Sequence, residues 1–225
     1  MTIDRLDREQ ALRYMSYRGG ELSDRAKAYL DECEERVLRA IKPVFSYRVL
    51  RIISSDPLTL EGALVLEGRD IAKHLSGCDS AAVFTVTVGS GVDRLIRSLQ
   101  IEDMAKAVMA DSFASTAAEL AADEAEKEIK AKLPGRYFTW RFSPGYGDLP
   151  LSSQKELLRV TDALRRTGVH LLSDDLLTPL KSVTAIVGIS DVPIEKSRRG
   201  CSECNIAESC SLRRSGQHCG VKGDI

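Results

Sequence analysis

Ala81 to Val88 is a run of eight residues without a charge, rich in β-branched side chains and bounded by Asp79-Ser80 and Gly89. A run that short and that apolar predicts a strand buried on both faces, so the chain must supply cover above and below it. With 225 residues, 43% of them hydrophobic, it is long enough to do so within one globular domain, or at most two small ones. Strand-like and helical segments alternate without a βαβ rhythm, which predicts an α+β fold rather than a doubly wound sheet.

The charge balance narrows the function classes. The chain holds 32 Lys+Arg against 33 Asp+Glu, and that balance argues against a general nucleic-acid or membrane-surface binder, since both need a basic excess. Met1 to Gln10 is polar and mixed in charge, unlike a secretory signal, and no run approaches the roughly 20 apolar residues that span a bilayer. The expectation is a cytoplasmic protein.

Along the chain, helices are predicted over Asp7 to Tyr17 and Ser23 to Ile41. Ala26, Tyr29, Leu30, Cys33, Val37 and Ile41 form the apolar stripe of the second, Ser23 its N-cap and Pro43 its stop. Cys33 on that stripe reads as a small buried hydrophobe. Tyr47 to Ile53 and Leu58 to Leu66 read as a hairpin across Ser54-Ser55-Asp56-Pro57. A short helix over Asp70 to Leu75 follows. Gly89-Ser90-Gly91, before a helix over Val92 to Leu99, reads as a tight turn because a phosphate loop would need a third glycine.

Glu102 to Lys132 predicts one long helix. Met104, Val108, Phe113, Ala117, Leu120 and Ala121 mark its buried side, and Pro134-Gly135 ends it. Asp111 and Glu119 lie in its quieter half and could line a cavity; Asp123, Glu124, Glu126 and Glu128 read as a solvated face. Tyr137 to Ser143 alternates, placing Phe138, Trp140 and Phe142 on one face and Arg141 on the other. Pro144-Gly145-Tyr146-Gly147-Asp148-Leu149-Pro150 is then a stiff loop. Ser153 and Glu156 suggest a capping box for a helix over Gln154 to Thr167, with Leu157, Leu158, Thr161 and Leu164 inward and Gly168 as its stop. Ser182 to Ile189 is the last strand.

Arg141, Ser143, Pro144, Gly145 and Tyr146 match an R-x-[AS]-P-G-Y pattern, and Ser173-Asp-Asp-Leu-Leu-Thr-Pro179 follows at a compatible distance. This series resembles the S-adenosylmethionine-binding activation domain of cobalamin-dependent methionine synthase, in a small stand-alone form. Arg13-Tyr14-x-x-Tyr17-Arg18-Gly19 is the most suggestive stretch of the N-terminal half. The resemblance implies a mixed, largely antiparallel twisted sheet with helices packed around it. It also implies an S-adenosylmethionine site at Arg141, Ser143, Pro144, Gly145 and Tyr146, with Glu119, or else Asp111, facing the positive end of the ligand. The chemistry agrees: a guanidinium fork suits the ligand carboxylate, glycine admits close backbone approach, and an aromatic ring suits adenine or sulfonium.

The implied reaction is reductive methylation, in which one electron and the methyl group of S-adenosylmethionine return inert cob(II)alamin to methylcobalamin. No side-chain nucleophile is required, and none of the three histidines, His74, His170 and His218, sits in a catalytic arrangement. The chain holds no D-x-H-x-x-G cobalamin segment, so the cobalamin must come on a partner, a methionine synthase or another corrinoid protein, with an electron donor protein beside it.

Residues 1–194 read as one body, with 1–45 its helical start, and 195–225 as a cysteine-rich tail standing where the family has a C-terminal extension. Cys201, Cys204, Cys210 and Cys219 make a four-thiolate set that suits an iron-sulfur cluster or a structural zinc, with disulfides or free thiols as the alternatives. The competing reading of the whole chain is an iron-sulfur electron-transfer or redox-sensing adaptor of a corrinoid methyltransferase system, without S-adenosylmethionine chemistry of its own.

Overall fold

The computed structural model describes residues 1–17, 19–173, 175–194 and 208–214. Six strands form an antiparallel sheet: β1 (Val44–Ser55), β2 (Leu58–Leu60), β3 (Leu64–Val65), β4 (Ser80–Thr87), β5 (Tyr137–Phe138) and β8 (Ser182–Ser190), in the order β3-β2-β1-β4-β8-β5. β6 (His170–Leu171) and β7 (Leu177–Thr178) make a separate hairpin. The charge-free run is the central strand as expected: β4 pairs with β1 on one side and β8 on the other, and all eight residues are buried.

Its two faces feed two cores. Ala82, Phe84 and Val86 point into a layer formed by α1 (Arg8–Tyr14), α2 (Asp24–Ala40), α4 (Ser90–Glu102) and α5 (Met104–Ala131). Ala81 and Val83 point into the other, with Ile71 of α3 (Arg69–His74), Phe142 and Leu149, and Leu157 of α6 (Gln154–Thr161). Polar groups on this second side are satisfied locally. Thr85 and Thr161 share a hydroxyl hydrogen bond of 2.8 Å, and Ser46 donates to the Thr161 carbonyl at 2.9 Å, so none of these three buried hydroxyls is left unpaired.

α2 keeps its predicted stripe and cap, with the Ala26 amide donating to Ser23 Oγ. Cys33 is fully buried, and burial pushes its thiol pKa up to about 11, in keeping with an inert core residue. Gly91 belongs to packing: a Cβ there would lie 2.4 Å from the Ala40 carbonyl oxygen, so the start of α4 sits hard against the end of α2. α7 (Ala163–Thr167) ends at Gly168 in the left-handed conformation, φ +75°, as expected for a helix stop.

Five expectations need correction. The predicted helix over Glu102 to Lys132 is broken at Asp103, whose backbone is extended and whose carboxylate caps α5 by accepting the Ala105 amide. Within α5, Met104 and Val108 lie nine and five residues before Phe113 and so on roughly the opposite side; Met104 is 60% exposed and Val108 is also outside, while Ala107, Ala110, Phe113, Ala114, Ala117, Ala121 and Ala125 are buried. The strand predicted over Leu58 to Leu66 is two short strands about a turn at 61–63. Ser153 is helical and makes no cap hydrogen bond, and Glu156 pairs with Arg159, so the capping box does not form. Asp162, in the left-handed conformation, separates α6 from α7, resets the helix phase and leaves Leu164 exposed.

The last correction concerns Tyr137 to Ser143. Only Tyr137–Phe138 is strand, and from Phe138 opposite Ile189 to Phe142 opposite Ile186 the chain advances four residues against three. The extra residue is a β-bulge. It separates aromatics that simple alternation would place together: Phe138 packs on the α5 layer, Trp140 and Phe142 on the α3 layer.

Candidate functional site

Arg141 emerges from the bulge on the face opposite Trp140 and Phe142, toward α5. Its Nη2 donates to Glu119 Oε2 at 2.6 Å, and its Nη1 to Asp123 and, at 3.5 Å, to Glu126. These three carboxylates stand at i, i+4 and i+7, one face of the helix. The guanidinium is 14% exposed. Burial opposes its charge, but the hydrogen bond it donates to Asp123 and the negative potential of Asp123 and Glu119 outweigh it and raise its pKa.

Ser143 to Tyr146 is a tight turn beside this cluster. The Tyr146 amide donates to the Ser143 carbonyl at 3.0 Å, and the Gly145 amide to the Leu149 carbonyl at 2.8 Å, across Pro144. Tyr146 presents its ring edge-to-face to Phe142, 6.0 Å between centroids, and remains half exposed. The loop is fastened at its far end. The Asp148 carboxylate accepts the Arg69 and Asp70 amides at 2.8 and 3.0 Å, capping α3, and Leu149 is buried. Those two amides, Asp70 first, hold the Asp148 carboxyl below its ordinary pKa. Gly147 sits where a Cβ would lie 2.3 Å from Asp70 Oδ2, at φ +52°, so the loop lies directly on α3.

Of the predicted site residues, the structure brings together Arg141, Glu119 and the turn Ser143, Pro144, Gly145 and Tyr146. Asp111 is apart from them: it pairs with Lys181 at 2.8 Å, and Lys181 also donates to Ser115. Asp123 and Glu126, read from sequence as solvent-facing, hold Arg141 instead; the i, i+4, i+7 spacing from Glu119 was the signal for them. Tyr14 is a further member. Its phenol accepts a hydrogen bond from Gln10 at 3.0 Å, and its pKa is raised by burial and then by the charge of Glu119, with a smaller contribution from Tyr146. Three elements therefore converge here: α1, α5 and the 143–150 loop.

Two concavities lie elsewhere, one of about 340 Å³ lined by Leu12, Met15, Tyr17 and Met109 among others, and one of about 430 Å³ between the N-terminal segment, Glu34 and Leu120. Among the described residues no group of His, Cys, Asp and Glu is arranged to hold a metal ion, and no helix is long and apolar enough to cross a membrane. Cys201, Cys204 and Cys219 of the predicted metal set lie outside the described residues. Cys210 is described and forms no disulfide there.

No protein-family model and no curated protein matches the chain. The fold has a solved counterpart. The crystal structure of the MetH reactivation domain bound to AdoHcy aligns with 95% of this chain and 82% of that one, with a TM-score of 0.62 at 15% sequence identity. The shared feature is the α+β architecture, an antiparallel six-stranded sheet with helices packed around it.

Proposed function

We propose that this chain binds S-adenosylmethionine at Arg141, Glu119 and the Ser143–Tyr146 turn, and serves as a stand-alone reactivation protein for a cobalamin-dependent methionine synthase or a related corrinoid methyltransferase. The observation that carries this reading is the meeting of Arg141 and Glu119 beside the glycine turn, in a fold like that of a domain solved with AdoHcy. Arg141 is suited to the ligand carboxylate and Glu119 to its ammonium group. Tyr146 and Tyr14 offer half-exposed aromatic faces to the adenine or the sulfonium.

In this reading the protein supplies position rather than a nucleophile. The half-exposed rings of Tyr14 and Tyr146 place a bound sulfonium at the surface, within reach of a docked partner. Cobalamin carried by that partner would supply the attacking centre when it is present, with an electron from a separate donor. The residues of this chain fix the two ends of the amino acid group and thereby aim the methyl group.

Titration calorimetry with S-adenosylmethionine and S-adenosylhomocysteine tests the ligand. Arg141→Ala is expected to weaken binding by about ten- to a hundredfold, the worth of a charge-assisted hydrogen bond. No heat with the wild type, or an Arg141→Ala variant that binds equally well, overturns the assignment. Methyl transfer to reduced cobalamin on candidate partners tests the role.

A further inference from the structure

The three acids on Arg141 differ in a way that the proposed ligand reading, on which this inference rests, leaves unexplained. Glu126 is 14% exposed and is itself held by Lys130 at 2.5 Å, so it is a fixed anchor. Glu119 holds the other guanidinium nitrogen. Asp123 is 61% exposed, lies at the solvent edge of the cluster and takes Nη1 in a close contact. Of the three, it is the carboxylate that leaves for water at least cost, because its exposure means little desolvation is reversed and little packing is lost.

We infer that Asp123 is an internal stand-in for the ligand carboxylate on Arg141, and that binding is an exchange of one carboxylate for another. With Asp123 seated, Nη1 of the buried guanidinium keeps a close carboxylate partner, which Glu126 at 3.5 Å does not supply alone. When the amino acid group of a ligand arrives, Asp123 swings out, Glu126 keeps the guanidinium oriented and Glu119 turns to the ammonium. Asp123 then acts as a specificity residue. A ligand lacking a carboxylate cannot take Nη1 and need not displace the aspartate.

The sign of the effect separates exchange from general electrostatics. S-adenosylmethionine has a net positive charge and its decarboxylated analogue carries one more, so simple removal of a negative side chain weakens both. Exchange predicts the reverse for the carboxylate-bearing ligand alone. In calorimetry, Asp123→Asn should bind S-adenosylmethionine about three- to tenfold more tightly than the wild type, with decarboxylated S-adenosylmethionine unchanged or weaker. Glu126→Gln should weaken S-adenosylmethionine binding, because the anchor rather than the competitor is removed. Asp123→Asn, at a side chain 61% exposed, should keep the wild-type melting temperature to within a few degrees, whereas Glu126→Gln, at a side chain 14% exposed and held by both Arg141 and Lys130, should lower it. Unchanged or weaker binding of S-adenosylmethionine by Asp123→Asn, or an equal gain for both ligands, overturns the exchange while leaving the ligand assignment standing. A wild type that binds neither ligand removes both.

Discussion

Asp148 shows how a single side chain can set a site it does not line. Its carboxylate accepts two amides of α3 and its neighbours on the loop carry Tyr146 and Gly145. Because these hydrogen bonds favour the ionised form, the folded pKa lies below the unfolded one. The stabilisation is therefore present above the unfolded value and is lost as pH falls through the folded one. Asp148→Asn should lower the melting temperature at pH 7, and the gap from the wild type should shrink as the pH is taken below about 4, the ordinary aspartate range. A gap that stays constant across that range would show that charge is not what Asp148 contributes. At this scale the nearness of Arg141 and the Ser143–Tyr146 turn was legible in their order along the chain, and Glu119 was named through the resemblance. Asp123 and Glu126 were hidden because a run of acids on a helix reads as solvated, and only the position of Arg141 distinguishes those that face inward.

At the scale of elements, the lesson concerns phase. Within α5, Met104 and Val108 lie nine and five residues before Phe113, roughly on the opposite side of the helix at 3.6 residues per turn, and both are outside. Asp162 acts differently: its left-handed backbone separates α6 from α7 and resets the phase. There one backbone conformation outweighs side-chain periodicity, and periodicity cannot register it. Contact between elements is more demanding still. The start of α4 lies against the last turn of α2 with no room for a methyl group at Gly91, so Gly91→Ala is expected to cost about 1–3 kcal/mol by overpacking. Urea denaturation would measure it, and a loss below about 0.5 kcal/mol would mean that the two helix ends separate readily.

For the whole molecule, the charge-free strand was decisive. A strand buried on both faces demands two layers, and the two cores on either side of β4 are that demand met. The likeness to a solved domain extends over 95% of the chain at 15% identity. The division of the chain was read from composition alone, and we expect it to hold in solution. A chain ending at residue 194 should unfold in one transition at the full-length midpoint and keep its ligand affinity, while any iron, acid-labile sulfide or zinc carried by the full-length protein is absent. A large drop in midpoint would mean that the cysteine tail is part of the body.

The bulge between Phe138 and Phe142 has a consequence for how such a chain can diverge. Which side of the sheet Arg141 faces depends on the number of residues between two pairings, not on their identities. Point substitutions at 139 and 140 leave that number intact, whereas removal of one residue turns the guanidinium into the apolar layer beneath and its acidic partners to empty solvent. The facing of Arg141 is thus set by a length of chain, which replacement preserves and insertion or deletion does not.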